Sequence, residues 1–229
     1  YEHFLDVTMF TTDGVFGAPV QVTATYAFLF VMFGTLLEKA GGGAFFFDIA
    51  AALTGRQTGG PAKVSVVSSG LFGMLSGSPT ADVVTTGSVT IPVMKRLGYS
   101  PTLAGAVEVA ASTGGSILPP VMGAAVFIMA EFTGIPYISI VFAATASALL
   151  YYATVFLQVD LRSRKEGVGT LDPDTLSRAG ATLLKGWTFL LPLGVLTAAL
   201  VMHYSPTYVA LYGTAALLVT WLLRWRTFS

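Results

Sequence analysis

Three stretches of the chain, residues 18–37, 132–159 and 186–223, contain no Asp, Glu, Lys or Arg. A hydrocarbon core about 30 Å thick takes about 20 apolar residues of helix, so these runs predict spans over 19–37 and 137–159. A helical pair is predicted over 187–203 and 206–223, joined by the turn His203-Tyr204-Ser205-Pro206. Residues 41–56 are shorter and mix Phe45, Phe46, Phe47, Ile49 and Leu53 with Asp48. That pattern suits a helix lying along the membrane interface, with a buried linker helix as the other reading.

Two further apolar stretches are interrupted. Between Lys63 and Lys95 the only charge is Asp82, but the middle reads Ser76-Gly77-Ser78-Pro79-Thr80-Ala81-Asp82, where turn formers and a proline break helical hydrogen bonding. Two half-helices joined by a turn are therefore expected over 62–97. With cations at both ends, which favour the cytoplasmic face, the segment enters and leaves from the same side as a re-entrant hairpin. Residues 101–131 would make a rod of about 45 Å as one helix, and they carry the break Ser112-Thr113-Gly114-Gly115-Ser116-Ile117-Leu118-Pro119-Pro120. Half-helices over 101–113 and 119–131 are expected.

These elements predict an all-α integral membrane fold with five transmembrane spans, one re-entrant helical hairpin and one discontinuous helix. The divisions are an outer N-terminal segment with the first span and interfacial helix (1–61), a half transport domain (62–133) with hairpin 62–97 and broken helix 101–131, a span (134–161), a cytoplasmic loop (162–185) and a helical pair (186–229). With the N-terminus outside, every cationic cluster from Arg56 to Arg226 falls inside.

Composition narrows the function. Of 229 residues 54% are hydrophobic and 10% charged, against about 25% charged in soluble domains, so a soluble enzyme is excluded. Net charge is zero, which leaves no electrostatic footprint for nucleic acid. Cysteine is absent, ruling out disulfides and thiolate metal sites. His3 and His203 lie near opposite ends of the chain and read as interfacial residues. Because no histidine falls in a core segment, an intramembrane hydrolase has no base to use. The chain opens on Tyr1 without a signal-peptide pattern, so a piece of a longer protein is expected.

Non-helical backbone at membrane depth is tolerated only where protein buries it or it lines a watery cavity. Carbonyls freed by the breaks, with Ser76, Ser78, Thr80, Thr85, Ser112, Thr113 and Ser116, are oxygen donors suited to a hard cation such as sodium. Helix starts near Pro79–Asp82 and near Pro119 would turn free N–H groups toward an anion. One site would then hold a cation and an anion together. Intramembrane acids are costly and are functional candidates by default. Asp82 reads as a ligand, as an N-cap of the second hairpin helix, or as both, and Glu108 as a partner of Lys95 or Arg96. Gly105 and Gly123 read as close-packing positions.

The residues resemble the large membrane subunit of the tripartite ATP-independent periplasmic (TRAP) transporters, in particular the fused permeases that work with TAXI-type binding proteins. The carrying stretches are Asp13-Gly14-Val15-Phe16-Gly17, Gly70-Leu71-Phe72-Gly73-Met74-Leu75-Ser76-Gly77-Ser78, Ala81-Asp82-Val83-Val84-Thr85-Thr86-Gly87 and Ile91-Pro92-Val93-Met94-Lys95-Arg96-Leu97-Gly98-Tyr99. They continue with Gly105-Ala106-Val107-Glu108-Val109-Ala110-Ala111-Ser112-Thr113-Gly114-Gly115, Pro119-Pro120-Val121-Met122-Gly123-Ala124-Ala125 and Ile128-Met129-Ala130-Glu131. The likeness is strong over about residues 12–161 and elsewhere only a hydrophobic pattern.

The resemblance implies a sodium-coupled secondary importer of an organic anion, multi-pass in the cell inner membrane and moving as an elevator. Sodium is its coupling ion and no other cofactor is implied. Its sodium site would use Ser76, Gly77, Ser78 and Asp82 with Thr113, Gly114, Ser116 and Pro119. Substrate would meet Ser78, Pro79, Thr80, Gly115, Ser116 and Pro120. Implied partners are membrane lipid, a periplasmic TAXI-type substrate-binding protein, the remaining half of the permease, and a small membrane subunit or fused equivalent. One hairpin and one broken helix are present where the family's cavity needs an inverted second pair, so the chain reads as half of an inverted-repeat transporter. An ion channel, or a sodium-coupled carrier that uses no binding protein, is the alternative.

Overall fold

The computed structural model describes residues 8–9, 17–171, 182 and 186–228. His3, the Asp13–Phe16 part of the first motif and most of the 162–185 loop lie outside the described residues. Among the described residues all regular structure is helical.

Helix α1, Ala18–Lys39, opens with Pro19 in its first turn and contains a π-helical turn at Thr23–Ala27. Gly41, at φ +100°, reverses the chain into α2, Gly42–Thr54. Helix α3, Gly60–Ser76, ends where Gly77 takes φ +61°, a left-handed conformation that glycine adopts without strain. Ser78 caps α4, Pro79–Thr85. Thr86 keeps helical angles of −72° and −39° between α4 and α5, Gly87–Arg96, so the two form one arm jointed at that residue.

Ser100 then caps α6, Pro101–Gly115. A non-helical segment, residues 116–123, leads to α7, Ala124–Thr133. Helix α8, Tyr137–Glu166, α9, Trp187–Val201, and α10, Pro206–Phe228, complete the chain.

Both expected interruptions are present, but the second differs from expectation. The first half of the broken helix runs to Gly115 rather than 113, and the second starts at Ala124 rather than 119. Pro119 and Pro120, joined by a cis bond, therefore lie inside the loop and not at a helix start. Tertiary hydrogen bonds hold the longer loop: the Val121 N–H donates to Met74 O at 3.2 Å, and the Gly123 N–H donates to Ser116 O at 2.7 Å. The Tyr137 hydroxyl donates to Pro120 O at 3.1 Å and also reaches Val121 O.

Three helices are long and apolar enough to cross a membrane: Ala18–Lys39, Tyr137–Glu166 and, within α10, Pro206–Leu223. Trp187–Val201 is apolar but has 15 residues, about 22 Å, and falls short by itself. Helix α2 buries Phe45, Phe46, Ile49 and Ala50 and packs on α3, with Phe45 stacked on Phe189 of α9 at 5.2 Å.

Two larger apolar cores flank α3, beside a small cluster of Ala50, Ala51 and Val64. The larger one centres on Phe30, Phe33, Phe127 and Tyr137, where Phe127 stacks on Phe30 at 5.0 Å and on Tyr137 at 4.7 Å. The second joins Val66, Met94, Tyr99, Ala104, Val107, Ala111 and Val159 from α3, α5, α6 and α8 and the turn before α6. Lys63, 3% exposed, ties the start of α3 to α8 through Asp160 at 2.6 Å and also donates to Gln57 Oε1 at 3.0 Å.

Helices α3 and α6 approach to glycine contact. A Cβ on Gly73 would stand 2.7 Å from the Gly115 Cα and 2.6 Å from Asp82 Oδ2. Gly115→Ala is accordingly expected to lower unfolding stability by about 1–3 kcal/mol, whereas Gly105→Ala, in a helical position with open space around it, should raise it by about 0.5–1 kcal/mol. Thermal unfolding in detergent measures both.

Candidate functional site

The two interruptions meet. Gly77 packs against the Met122 carbonyl so closely that no side chain fits between them, and a Cβ on Gly123 would lie 3.3 Å from both Gly77 O and Ser116 Cβ. The Val121–Met74 bond fastens the loop 116–123 to the end of α3. Main-chain carbonyls from both breaks, glycine surfaces and small hydroxyls thus share one junction.

Asp82 is the charge at this junction and has no exposed surface. The Ser76 hydroxyl donates to its Oδ1, and Ser76 Oγ also accepts the Ser78 N–H at 3.1 Å. Its Oδ2 faces Gly73 and has no hydrogen-bond partner among the described residues. A buried carboxylate oxygen left unpaired is costly, and this one faces a surround of main-chain carbonyls and hydroxyls. Asp82 does not cap α4. That role falls to Ser78, whose Oγ accepts the Ala81 N–H at 3.4 Å, because the helix starts three residues earlier, at Pro79.

A second buried acid, Glu108, lies on the neighbouring helix α6. Glu108 has no exposed surface and makes no pair with Lys95 or Arg96, contrary to the sequence expectation, since both cations sit on exposed positions at the end of α5. Hydroxyls take their place. Ser65 donates to Oε2 at 2.6 Å and Thr90 at 2.5 Å, while Thr86 donates to Oε1 at 2.5 Å and Ser69 at 2.9 Å. Ser112 stands 3.4 Å from Oε1. Gly87 makes room for the acid, with a Cβ there only 3.0 Å from Glu108 Cγ.

The sequence model for the tripartite ATP-independent periplasmic transporter DctM component matches residues 2–229. The chain belongs to this family. It is 29% identical over 199 residues to the y4mL protein of Sinorhizobium fredii, covering 86% of this chain and 47% of that one. The C4-dicarboxylate TRAP transporter large permease protein DctM of Pseudomonas aeruginosa is 30% identical over 138 residues, 57% of this chain and 32% of that protein. The sialic acid TRAP transporter permease protein SiaT of Haemophilus influenzae is 32% identical over 91 residues, 40% of this chain and 15% of that protein. The matched regions thus span less than half the length of each of these relatives.

In this DctM-family chain the residues singled out from sequence fall into two groups. Ser76, Gly77, Asp82, Gly115, Ser116 and Pro120 line or adjoin the junction. Ser78 and Pro79 form the turn into α4, with Ser78 exposed and Pro79 half-buried, and Pro119 is half-buried in the loop. Thr80 and Thr113 are exposed, and the Thr113 hydroxyl is turned back onto Val109 O at 2.7 Å. Gly114 packs against the Tyr151 and Tyr152 rings of α8 instead of the hairpin.

Apart from Ser112, the hydroxyls around Glu108 escaped the sequence reading, although a signal was present. Ser65 and Ser69, and Thr86 and Thr90, are both spaced by four residues, which places each pair on one helical face. Glu108→Ala is expected to cost about 2–4 kcal/mol of unfolding stability, because it opens a cavity and strands buried hydroxyls. Chemical denaturation of the variant in detergent measures this, and a loss below about 0.5 kcal/mol would mean the cluster is not a structural anchor.

Proposed function

We propose that this chain forms half of the transport domain of a secondary transporter in the cell inner membrane, which takes up an organic anion delivered by a periplasmic binding protein. The observation that carries the reading is the meeting of two helix breaks around the unpaired, buried Asp82 Oδ2. The substrates for which two of the relatives are named, a C4-dicarboxylate and sialic acid, are carboxylates. The substrate class proposed here is therefore a carboxylate.

Coupling is to sodium. A hard cation takes oxygen ligands, and the junction offers the Asp82 carboxylate with main-chain carbonyls and the Ser76 and Ser116 hydroxyls. Sodium bound there would neutralise Asp82 and favour an adjacent anionic substrate, so each ion would strengthen the binding of the other. The hairpin of α3, α4 and α5 re-enters the membrane from the cytoplasmic face. Together with α6 it forms a block bound by the Glu108 hydroxyl cluster and the Gly73–Gly115 contact, and that rigid block is the part that moves in an elevator cycle. The other half of the permease, a small membrane subunit or its fused equivalent, and a TAXI-type binding protein complete the machine.

Purified protein in detergent tests the ion site. Replacing potassium by sodium at constant ionic strength is expected to raise the unfolding temperature of the wild type. The rise should disappear in Asp82→Asn, which keeps the shape and removes the charge. An equal sodium response in wild type and Asp82→Asn overturns the assignment.

A further inference from the structure

We propose that the groove between α3 and α8 holds one anionic phospholipid, with its phosphodiester at the cationic end of the groove and an acyl chain along the apolar walls. The inference rests on α8 lying in a membrane and does not depend on the sodium junction.

The groove has a volume of about 820 Å³, and its walls are hydrocarbon, with Val66, Val67 and Leu71 on α3 and Ala153, Phe156 and Leu157 on α8. The two helices touch at Gly70 and Tyr152, where a Cβ on the glycine would stand 2.9 Å from the tyrosine ring. Away from that contact the groove opens to the surroundings of α8, since Leu149 and Leu157 on its lining are 60% and 58% exposed. Leu149 and Arg164, its extreme lining residues on α8, stand about 22 Å apart along the helix. Half of a hydrocarbon core is about 15 Å. An end placed at headgroup level therefore leaves the other among acyl chains.

The polar end carries an excess of positive charge. Lys63 Nζ meets Asp160 Oδ1 at 2.6 Å and Arg164 Nε meets Asp160 Oδ2 at 2.8 Å, so two cations share one carboxylate. Lys63 is already committed: its ammonium also donates to Gln57 and lies 5.2 Å from the centre of the Phe156 ring. Arg164 is different. Its side chain is 65% exposed, and among the described residues its one polar contact is that of Nε with Asp160. The rest of the guanidinium fork is turned to the groove's mouth, and such a fork suits the paired oxygens of a phosphate.

A phosphodiester brings one negative charge to this excess of one positive charge. At the same end α8 also carries Arg162 and Lys165, the pattern of a cytoplasmic boundary, where basic pockets between spans select anionic head groups. A further apolar helix seated in the groove would leave the excess charge unanswered, which favours a lipid over another part of the permease.

Native mass spectrometry of the whole permease, supplied in detergent with equal amounts of phosphatidylglycerol and phosphatidylethanolamine, counts the lipid retained. Wild type is expected to retain one phosphatidylglycerol in preference to phosphatidylethanolamine. Arg164→Gln, which cancels the excess charge, should lower that occupancy about fivefold, the effect of one cation on an anionic headgroup. Arg162→Gln removes the same charge from a side chain that pairs with Glu166 outside the groove and should leave occupancy unchanged. Ala153→Trp, which fills the groove from an exposed position, should exclude the lipid, and Val219→Trp on the exposed face of α10 should not. Equal retention of the two lipids, or retention of phosphatidylglycerol unmoved by Arg164→Gln or by Ala153→Trp, overturns the proposal. So does the absence of retained lipid in wild type, the result expected if protein fills the groove. Should Ala153→Trp fail to fold by circular dichroism, the comparison of Arg164→Gln with Arg162→Gln decides, and equal retention in those two overturns it. The readout needs neither sodium nor the transported anion, so loss of the sodium reading would leave it intact.

Discussion

Every part of this architecture answers one constraint, that a peptide group freed from a helix inside a membrane must be paired by protein, because lipid offers no hydrogen bonds. Pro79 and the Pro119–Pro120 pair remove helical N–H donors at the two interruptions, whereas Pro92 and Pro192 are carried inside α5 and α9. The freed groups find partners: Met74 O across the junction for the Val121 N–H, Ser116 O within the loop for the Gly123 N–H, and the Tyr137 hydroxyl of α8 for the carbonyls of Pro120 and Val121. The breaks interlock through the Val121–Met74 bond and the close approach of Gly77 to the Met122 carbonyl. Small residues then become obligatory, since Gly73, Gly77, Gly115 and Gly123 stand where two main chains touch.

The same pressure shapes the buried acids. Asp82 and Glu108 lie on adjacent helices, both without exposed surface, yet they are provisioned differently. Glu108 is surrounded by hydroxyls and closed. Asp82 keeps one oxygen unpaired beside the junction. A closed cluster binds helices together, and the unpaired oxygen is the one the proposed sodium site would use. This division places a closed cluster and an open oxygen within one hairpin and its neighbour.

Much of this was legible along the chain because prolines and charges act locally. Charge-free runs located α1, α8 and α10, and the Ser-Gly-Ser-Pro run placed the first turn within a residue or two of Gly77. The second break was misplaced because Pro119 and Pro120 looked like helix starters, a local preference overruled by tertiary bonds from Met74 and Tyr137. Span length was overread for 187–203, where a positive-φ residue, His203, and a turn shorten α9. The Glu108 partner was misassigned for a different reason. Lys95 and Arg96 are near in sequence to the hairpin's end, whereas the true partners come from three helices and emerge only when their faces are brought together.

A re-entrant hairpin must begin and end on one side of the membrane. Because the chain has no cysteine, single cysteines at Thr58, Arg96 and Thr80 can be probed with a membrane-impermeant thiol reagent on sealed vesicles of known orientation. Thr58→Cys and Arg96→Cys should be labelled from the same, cytoplasmic face, and Thr80→Cys should be protected from that face. Labelling of Thr58→Cys and Arg96→Cys from opposite faces would mean that the segment crosses the bilayer, and the account built on its interruption would be wrong.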